Sequence, residues 1–337
     1  MPSPFSDFLG RHIDEVNDYL ATYFDDQTDN PDIERYLYGP LGRFSANAGK
    51  RHRPLICMLA ARAVGGDFES ARSAAAAIEH FQSGALIHDD IADNGQLRRG
   101  KPCLHITEGT GLAINAGDLA LTLVTAAVVK DDSLDDATKV RIIRELTDMT
   151  VRTIEGQALD LGWVRDGRFD ISVDDYLQMA THKTAYYSGA TPLACGAIIG
   201  GGSDEQVEAL RDFGLHTGLA FQIQDDLLNL IDDAGARNKD FRCDITEGKR
   251  TLVAVHALAS PEYHDELVRI LTSGTEDPAV LAHAVDIFRA TGSIDYAHAY
   301  SLELTAKAKR ALESVELDPH CKDLFMAMAD FFVSRLN

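Results

Sequence analysis

The segment over residues 87–102, IHDDIADNGQLRRGKP, constrains the fold most because it joins carboxylates on an apolar turn to a basic stretch. On a helix, Asp89 and Asp93 stand at i and i+4 and project from one face. Carboxylates beside Ile87 and Ile91 are costly to bury without a compensating cation. Mg²⁺ is suitable because it binds one or two carboxylates and completes its shell with water or phosphate oxygens. The alternative is a solvated helix end with surface ion pairs.

A second acidic turn lies in residues 221–233, FQIQDDLLNLIDD, where Asp225 and Asp226 again follow an apolar stretch. Asn229 takes the i+4 position that Asp93 holds in the first turn. Two such turns can face each other across a helical bundle, where side chains of facing helices commonly build polar sites. The second copy therefore favours a shared metal site over two unrelated helix ends.

Four further motifs accompany the two acidic turns: GKRHRP at residues 49–54, IEGQALDL at 154–161, HKT at 182–184 and DITEGK at 244–249. In this order the motifs resemble those of the trans-isoprenyl diphosphate synthases, the polyprenyl synthetase family. The resemblance implies an all-α isoprenoid synthase bundle of ten or more helices around a central apolar cavity. It also implies one domain over residues 1–337 and a homodimer. The implied activity is head-to-tail condensation of isopentenyl diphosphate with an allylic diphosphate.

The resemblance assigns metal and diphosphate ligands residue by residue. It implies three Mg²⁺ ions on the allylic diphosphate, held by Asp89, Asp93 and Asp225. The catalytic cations that help stabilise the departing diphosphate are then Arg98, Lys183 and Lys249. The allylic subsite comprises Arg98, Lys183, Thr184, Gln222, Lys239 and Lys249. The isopentenyl subsite comprises Lys50, Arg53, Gln82 and Arg99.

Some motif residues depart from the family pattern or receive no role from it. Asn229 replaces an aspartate, and we expect activity to survive if this position holds metal only through water. The loop between Lys239 and Lys249 is one residue longer than in farnesyl-type enzymes and is similar to that of geranylgeranyl diphosphate synthases. Gln157 and Asp160 match a segment near the active site without separate roles. Arg51 and His52 inherit no clear role.

Product length is predicted from the turns that precede Asp89. Gly84 and Ala85 leave the first turn open, and Phe81 lies about one turn deeper. The resemblance implies that bulky shallow residues stop growth at farnesyl length, so their absence predicts a longer product, with Phe81 stopping growth near geranylgeranyl length. Farnesyl or longer polyprenyl products are the alternatives, and the floor could instead lie on residues 112–124.

Composition excludes several classes of protein. A net charge of −21 argues against a nucleic-acid partner, because phosphate backbones are bound by clustered cations. The longest apolar run, over residues 119–129, is too short to cross a bilayer, so we expect no transmembrane segment. Five widely spaced cysteines indicate reduced thiols in the cytoplasm and no structural zinc.

Periodicity and capping patterns predict helices along the chain. Capping boxes are expected at Ser133 with Asp136, at Ser172 with Asp175, and at Ser203 with Gln206. The helix over residues 111–129 is apolar on nearly every side, which predicts burial and favours a satisfied buried carboxylate at Asp118. Gly189 and Pro192 are expected to break or kink their helix. The chain beyond residue 252 reads as amphipathic helices.

Two other functions compete with chain elongation. A terpene cyclase uses similar acidic helices, but residues 225–233 lack the cyclase-type spacing of Asn, Ser and Glu. A non-catalytic subunit that modulates a partner synthase is the alternative of another class. Such a subunit should have lost metal or diphosphate ligands, whereas only Asn229 departs here.

Overall fold

The computed structural model describes residues 3–47, 49–231 and 242–334, and these are almost entirely helical. The first helices are α1 (Pro4–Ala21), α2 (Pro31–Ile33), α3 (Gly39–Ala46), α4 (His52–Ala63) and α5 (Arg72–Ala92). A two-stranded hairpin of β1 (Leu97–Arg98) and β2 (Lys101–Pro102) precedes α6 (Leu104–Thr107), α7 (Thr110–Val129), α8 (Asp136–Arg165) and α9 (Val173–Ala180). The last helices are α10 (Thr191–Ile199), α11 (Asp204–Ile231), α12 (Cys243–Thr246), α13 (Leu252–Leu258), α14 (His264–Thr272), α15 (Pro278–Ala290), α16 (Ser293–Ala311) and α17 (Pro319–Val333).

Three short helical segments link these elements. Glu34–Tyr38 is π-helical between α2 and α3, and Phe68–Ala71 is a 3₁₀ turn before α5. Thr181–Ala190, called the π segment below, joins α9 to α10 without a break. The break expected at Gly189 and Pro192 is therefore absent, and the backbone bonds of the π segment instead shift to i+5 pairing. The all-α prediction is confirmed.

The helix caps follow local side-chain chemistry. The capping boxes predicted at Ser172 and Ser203 are present. The one predicted at Ser133 is wrong, because Asp135 caps α8 by accepting a hydrogen bond from the Thr138 amide. The predicted C-terminal helices are confirmed as α13 to α17.

Burial of α7 differs from the expectation. The helix packs against α5 and α8, yet its outer face is exposed, and the Asp118 side chain is 63% exposed beside His88. Asp118 is therefore not a buried carboxylate. Within the described ranges, α7 is the one helix whose length and hydropathy would suffice to cross a bilayer. Because core helices often share this composition, one such helix is weak evidence for a membrane span.

Glycines let the site-bearing helices approach closely. A Cβ at Gly156 of α8 would lie 2.2 Å from the Lys183 backbone nitrogen in the π segment. On the other side of the same segment, a Cβ at Gly214 of α11 would lie 2.5 Å from the Gly189 backbone. The π segment is therefore held between α8 and α11, which sets the depth at which Lys183 and Thr184 reach the interior.

Candidate active site

The first acidic turn ends α5, where its three carboxylates take different partners. Asp89 is half-buried, accepts a 2.9 Å hydrogen bond from Gln157 Nε2 and lies 3.5 Å from Arg98. Asp90 is 1% exposed and accepts two hydrogen bonds from the Arg98 guanidinium. Asp93 accepts a 3.1 Å bond from Lys249 Nζ. Burial and neighbouring Asp89 raise the Asp93 pKa in spite of Lys249.

Two lysines lie between the acidic turns. Lys183 Nζ donates to Asp160 Oδ2 at 2.5 Å, and Lys249 Nζ lies 3.4 Å from the same oxygen. Burial opposes ionisation of Asp160, but the two lysines outweigh it and hold the pKa of Asp160 below its usual value. Burial likewise opposes the charge on Lys249, yet Asp160 and Asp93 raise its pKa. Both lysines are therefore positively charged and form ion pairs with carboxylates.

The second acidic turn lies near the C-terminal end of α11. Asp225 is half-buried, whereas Asp226 is 7% exposed and accepts hydrogen bonds from Tyr176 (2.9 Å) and Gln222 (2.7 Å). Gln222 in turn accepts a 2.6 Å bond from Thr184. Burial and Asp244 raise the Asp226 pKa well above its usual value. Asn229 bonds to Cys243 Sγ and to the Asp244 amide, so it ties α11 to α12.

One cavity of about 70 Å³ joins these groups. Its lining includes Gln222 and Asp226 of the second turn, the carboxylate of Asp160, and Lys249, which donates to Asp93 of the first turn. The second turn therefore borders the cavity directly, whereas the first turn is connected to it through Lys249. Asp244 and Tyr176 also line it, and sequence reasoning assigned them no role.

A second cluster consists of guanidinium groups. Arg53 donates to Ser188 Oγ at 2.8 Å and to the Tyr187 hydroxyl at 3.3 Å. Arg99 donates to the Asn47 carbonyl at 2.6 Å. Burial and then the positive charges of Arg51, Arg53 and Arg98, opposed by Glu79, lower the Arg99 pKa. These neighbouring cations repel one another, and a bound polyanion would reduce that repulsion.

The other predicted ligands of isopentenyl diphosphate are Lys50 and Gln82. Lys50 Nζ lies 5.9 Å from the centre of the Phe331 ring. Gln82 is 8% exposed on α5, two turns before Asp89. Lys239, predicted for the allylic subsite, lies outside the described residues.

The carboxylates fit a metal that also binds substrate oxygens. Among the residues that the structure describes, no group of three His, Cys, Asp or Glu side chains is arranged to hold a metal ion alone. Mg²⁺ does not need such a cage, since it commonly takes one or two carboxylates together with substrate phosphates. The half-buried carboxylates of Asp89, Asp93 and Asp225 are suitable for this type of binding.

The residues predicted to limit product length do not all face open space. Phe81 is 2% exposed, and its ring centre lies 5.7 Å from that of Tyr187 in the π segment. Ala85 is partly buried against the main apolar core. Gly84 faces α7, where a Cβ would lie 3.0 Å from the Gly117 carbonyl and from Leu121. The turn expected to be open at Gly84 is therefore filled by α7.

Comparison with known proteins agrees with this geometry. Residues 34–288 match the polyprenyl synthetase family. A short chain isoprenyl diphosphate synthase from Methanothermobacter thermautotrophicus is 39% identical over 289 residues, covering 85% of this chain and 86% of that protein.

Two solved structures are also similar. A geranylgeranyl pyrophosphate synthetase from Pyrococcus horikoshii Ot3 superposes with a TM-score of 0.89 at 29% identity over 98% of both chains. A geranylgeranyl pyrophosphate synthase from Corynebacterium glutamicum, complexed with isoprenyl diphosphate and magnesium, superposes with a TM-score of 0.86 at 29% identity over 99% of both chains.

Proposed function

The chain belongs to the polyprenyl synthetase family, and we propose that it condenses isopentenyl diphosphate with an allylic diphosphate to make geranylgeranyl diphosphate. The observation that carries the proposal lies at the hairpin. Arg98 is bonded to Asp89 and Asp90, whereas Arg99, with a positive φ of 54°, is bonded to Asn47 among the guanidinium groups. Two adjacent arginines thus serve two separate polyanion sites.

The acidic cluster is the proposed allylic subsite. Mg²⁺ ions held by Asp89, Asp93 and Asp225 would supply positive charge to the diphosphate when bound. Lys183 and Lys249 are within reach of the same cavity and exchange their bonds to Asp160 and Asp93 for bonds to the leaving diphosphate. Arg98 adds a planar donor fork beside Asp89.

The guanidinium cluster is the proposed isopentenyl subsite. Lys50, Arg53, Gln82 and Arg99 hold the second diphosphate so that the isopentenyl double bond faces the allylic carbon. The allylic carbon–oxygen bond breaks and its electron pair leaves with the diphosphate, which then takes the proton lost after the new carbon–carbon bond forms. Apolar walls exclude the water that would quench the cation.

Product length is proposed to be geranylgeranyl because buried Phe81 contacts Tyr187, whose ring centre lies 4.6 Å from the Arg53 guanidinium, so the two rings would form the floor of the product tunnel. The geranylgeranyl synthases with which the chain superposes support this length. Replacing Phe81 with alanine should lengthen the products, as read by chromatography of the dephosphorylated alcohols. An unchanged product spectrum would place the floor on another helix.

The deciding experiment supplies purified protein with Mg²⁺, isopentenyl diphosphate and an allylic primer. The expected products are linear trans-prenyl diphosphates, and a chelator should abolish their formation. A cyclic hydrocarbon would identify a cyclase. Activity that requires a second protein would identify a modulating subunit, although the retained carboxylates and cations give that alternative no support.

We also propose a homodimer formed through the outer faces of α7 and α8. Five apolar residues on these helices are each 43–60% exposed: Ile114, Val129, Val140, Val151 and Ile154. Burying such a patch against a second copy is favourable. Light scattering after gel filtration should give twice the chain mass, and Val151→Glu should shift it towards the monomer.

The free cysteines further support a cytoplasmic location, which cell fractionation would test.

A further inference from the structure

The tripeptide Gly-Lys-Arg occurs twice in the chain, at residues 49–51 and 248–250. Each copy contributes its lysine to one of the two proposed subsites, Lys50 to the isopentenyl side and Lys249 to the allylic side. The arginine that follows each lysine is almost completely buried, with 3% of Arg51 and 2% of Arg250 exposed. Such buried arginines require an explanation, because burying a guanidinium is costly unless its donors are satisfied.

Arg51 uses its guanidinium to join three helices to the loop that carries Lys50. Its Nε donates to Asn17 Oδ1 of α1 at 2.8 Å. One terminal nitrogen donates to Glu79 of α5, whose side chain is 3% exposed, and the other donates to the Ser45 carbonyl of α3. All three guanidinium nitrogens are therefore engaged within the protein, so Arg51 is not free to bind a diphosphate.

Arg250 does the same for the loop that carries Lys249. Its Nε donates to the Arg168 carbonyl at 2.7 Å, and its terminal nitrogens donate to the carbonyls of Gly248 and of Trp163, the latter at 3.2 Å. The guanidinium also lies 4.0 Å from the centre of the Phe169 ring. The loop is thereby tied to the C-terminal end of α8, the helix that carries Asp160.

The glycines fit this arrangement in both copies. A Cβ at Gly49 would lie 2.9 Å from the guanidinium of Arg99, so glycine lets that cation pack against the loop. Gly248 has a φ of +65°, and a Cβ there would lie 2.4 Å from the Leu271 carbonyl. Each tripeptide thus combines a glycine that permits a close approach, a lysine assigned to a subsite and an arginine that anchors the backbone.

We propose that Arg51 and Arg250 are positioning residues, each of which fixes the lysine before it in one diphosphate subsite. The inference deepens the proposed function and rests on it for the identity of the two ligands. It predicts separable effects, because Arg51 is bonded only on the isopentenyl side and Arg250 only beside Asp160 and Lys249. A residue that merely stabilised the fold would affect both subsites alike.

The test compares Arg51→Lys with Arg250→Lys. Lysine keeps the charge but, as a single point donor, cannot serve three acceptors in fixed directions. Arg51→Lys should raise the KM and the calorimetric Kd for isopentenyl diphosphate by ~10-fold or more and leave those for geranyl diphosphate with Mg²⁺ within about twofold. Arg250→Lys should show the opposite pattern. Arg289→Lys, on the exposed face of α15, is the matched control and should change neither.

Equal changes for both ligands in either variant, or no change in both, would overturn the inference. If a variant fails to fold, Asn17→Ala and Phe169→Leu remove one anchoring contact each and should give the same split at smaller size. Direct binding separates this inference from the proposed function. Wild-type protein that binds both diphosphates without forming product would contradict the function, while the Kd pattern still decides the role of the arginines.

Discussion

The two acidic turns share the same order of half-buried and buried aspartates but differ in the contacts that hold the buried aspartate. In each, the first of two adjacent aspartates is half-buried at the cleft and the second is buried in the protein. Buried Asp90 is paired with a cation, Arg98, whereas buried Asp226 is held by the neutral donors of Tyr176 and Gln222.

The fourth position after the first aspartate also differs between the turns. Asp93 contacts Lys249, while Asn229 contacts Cys243 and the Asp244 backbone. The first turn is thus organised by charge and the second mainly by neutral hydrogen bonds.

The largest expected effect comes from removing the half-buried carboxylate of the first turn. Asp89→Ala should lower condensation by at least ~10²-fold, since losing a metal ligand forfeits about 3 kcal/mol or more of transition-state stabilisation. Steady-state kinetics at saturating Mg²⁺ provide the measurement. Asp118→Ala, an exposed acid on α7, is the control and should retain activity. Near-normal turnover of Asp89→Ala would refute the metal assignment.

A smaller effect is expected from the helix contact that supports the first turn. Gly156→Ala would place a methyl group 2.2 Å from the Lys183 backbone nitrogen, so α8 or the π segment must move. We expect a loss of about 1–3 kcal/mol in unfolding free energy by denaturant titration. The same shift would disturb the bonds of Gln157 to Asp89 and of Lys183 to Asp160, so kcat should also fall.

Gly162→Ala on the same helix is the matched control for Gly156→Ala. Among the residues that the structure describes, no heavy atom outside its own helix lies within 4 Å of a Cβ at that position. Because alanine favours helix over glycine, this variant should be as stable as the wild type or more so. Equal losses in the two variants would show that the contact between α8 and the π segment does not matter.

Burial and the neighbouring Asp244 raise the pKa of Asp226, and this predicts a pH dependence of stability that comes from the second turn. Its raised pKa means that the folded protein keeps a proton that the unfolded chain releases. Stability should therefore fall as pH rises above the unfolded pKa of about 3.9. In metal-free protein, Asp226→Asn should lose less stability than the wild type between about pH 5 and about pH 8, as measured by thermal unfolding. Parallel curves would contradict the assignment.

The smallest effect is expected at Asn229. In Asn229→Asp, a carboxylate oxygen can still accept from the Asp244 amide, although the donor to Cys243 is lost. We expect activity to stay within about threefold of the wild type, because one neutral hydrogen bond contributes only about 1 kcal/mol. Asn229→Leu removes both bonds and should be less stable than Asn229→Asp. A large gain in Mg²⁺ affinity for Asn229→Asp would instead make this position a direct ligand.

Much of the active site could be predicted because its chemistry lies in short motifs. The acidic turns and the capping boxes at Ser172 and Ser203 depend on residues a few positions apart, which helical geometry relates directly. The diphosphate cations are assigned by resemblance to the polyprenyl synthetase family. The same local logic failed at Ser133, where neighbouring Asp135 competes successfully for the cap. It also failed at Asp118, since apolar composition does not reveal which face of α7 meets another helix.

The sequence by itself determined an all-helical chain with two carboxylate turns and two sets of cations, because helix periodicity and side-chain charge are local properties. Only the tertiary structure decided that Asp90 and Asp226 are buried while Asp89 and Asp225 are not, and that Lys183 and Lys249 share Asp160. It also decided that Gly84 meets α7 and that Arg51 and Arg250 anchor separate loops. The physical reason is that burial and ion pairing depend on segments far apart in the chain, whose packing sets both the dielectric surroundings and the partners of each charge.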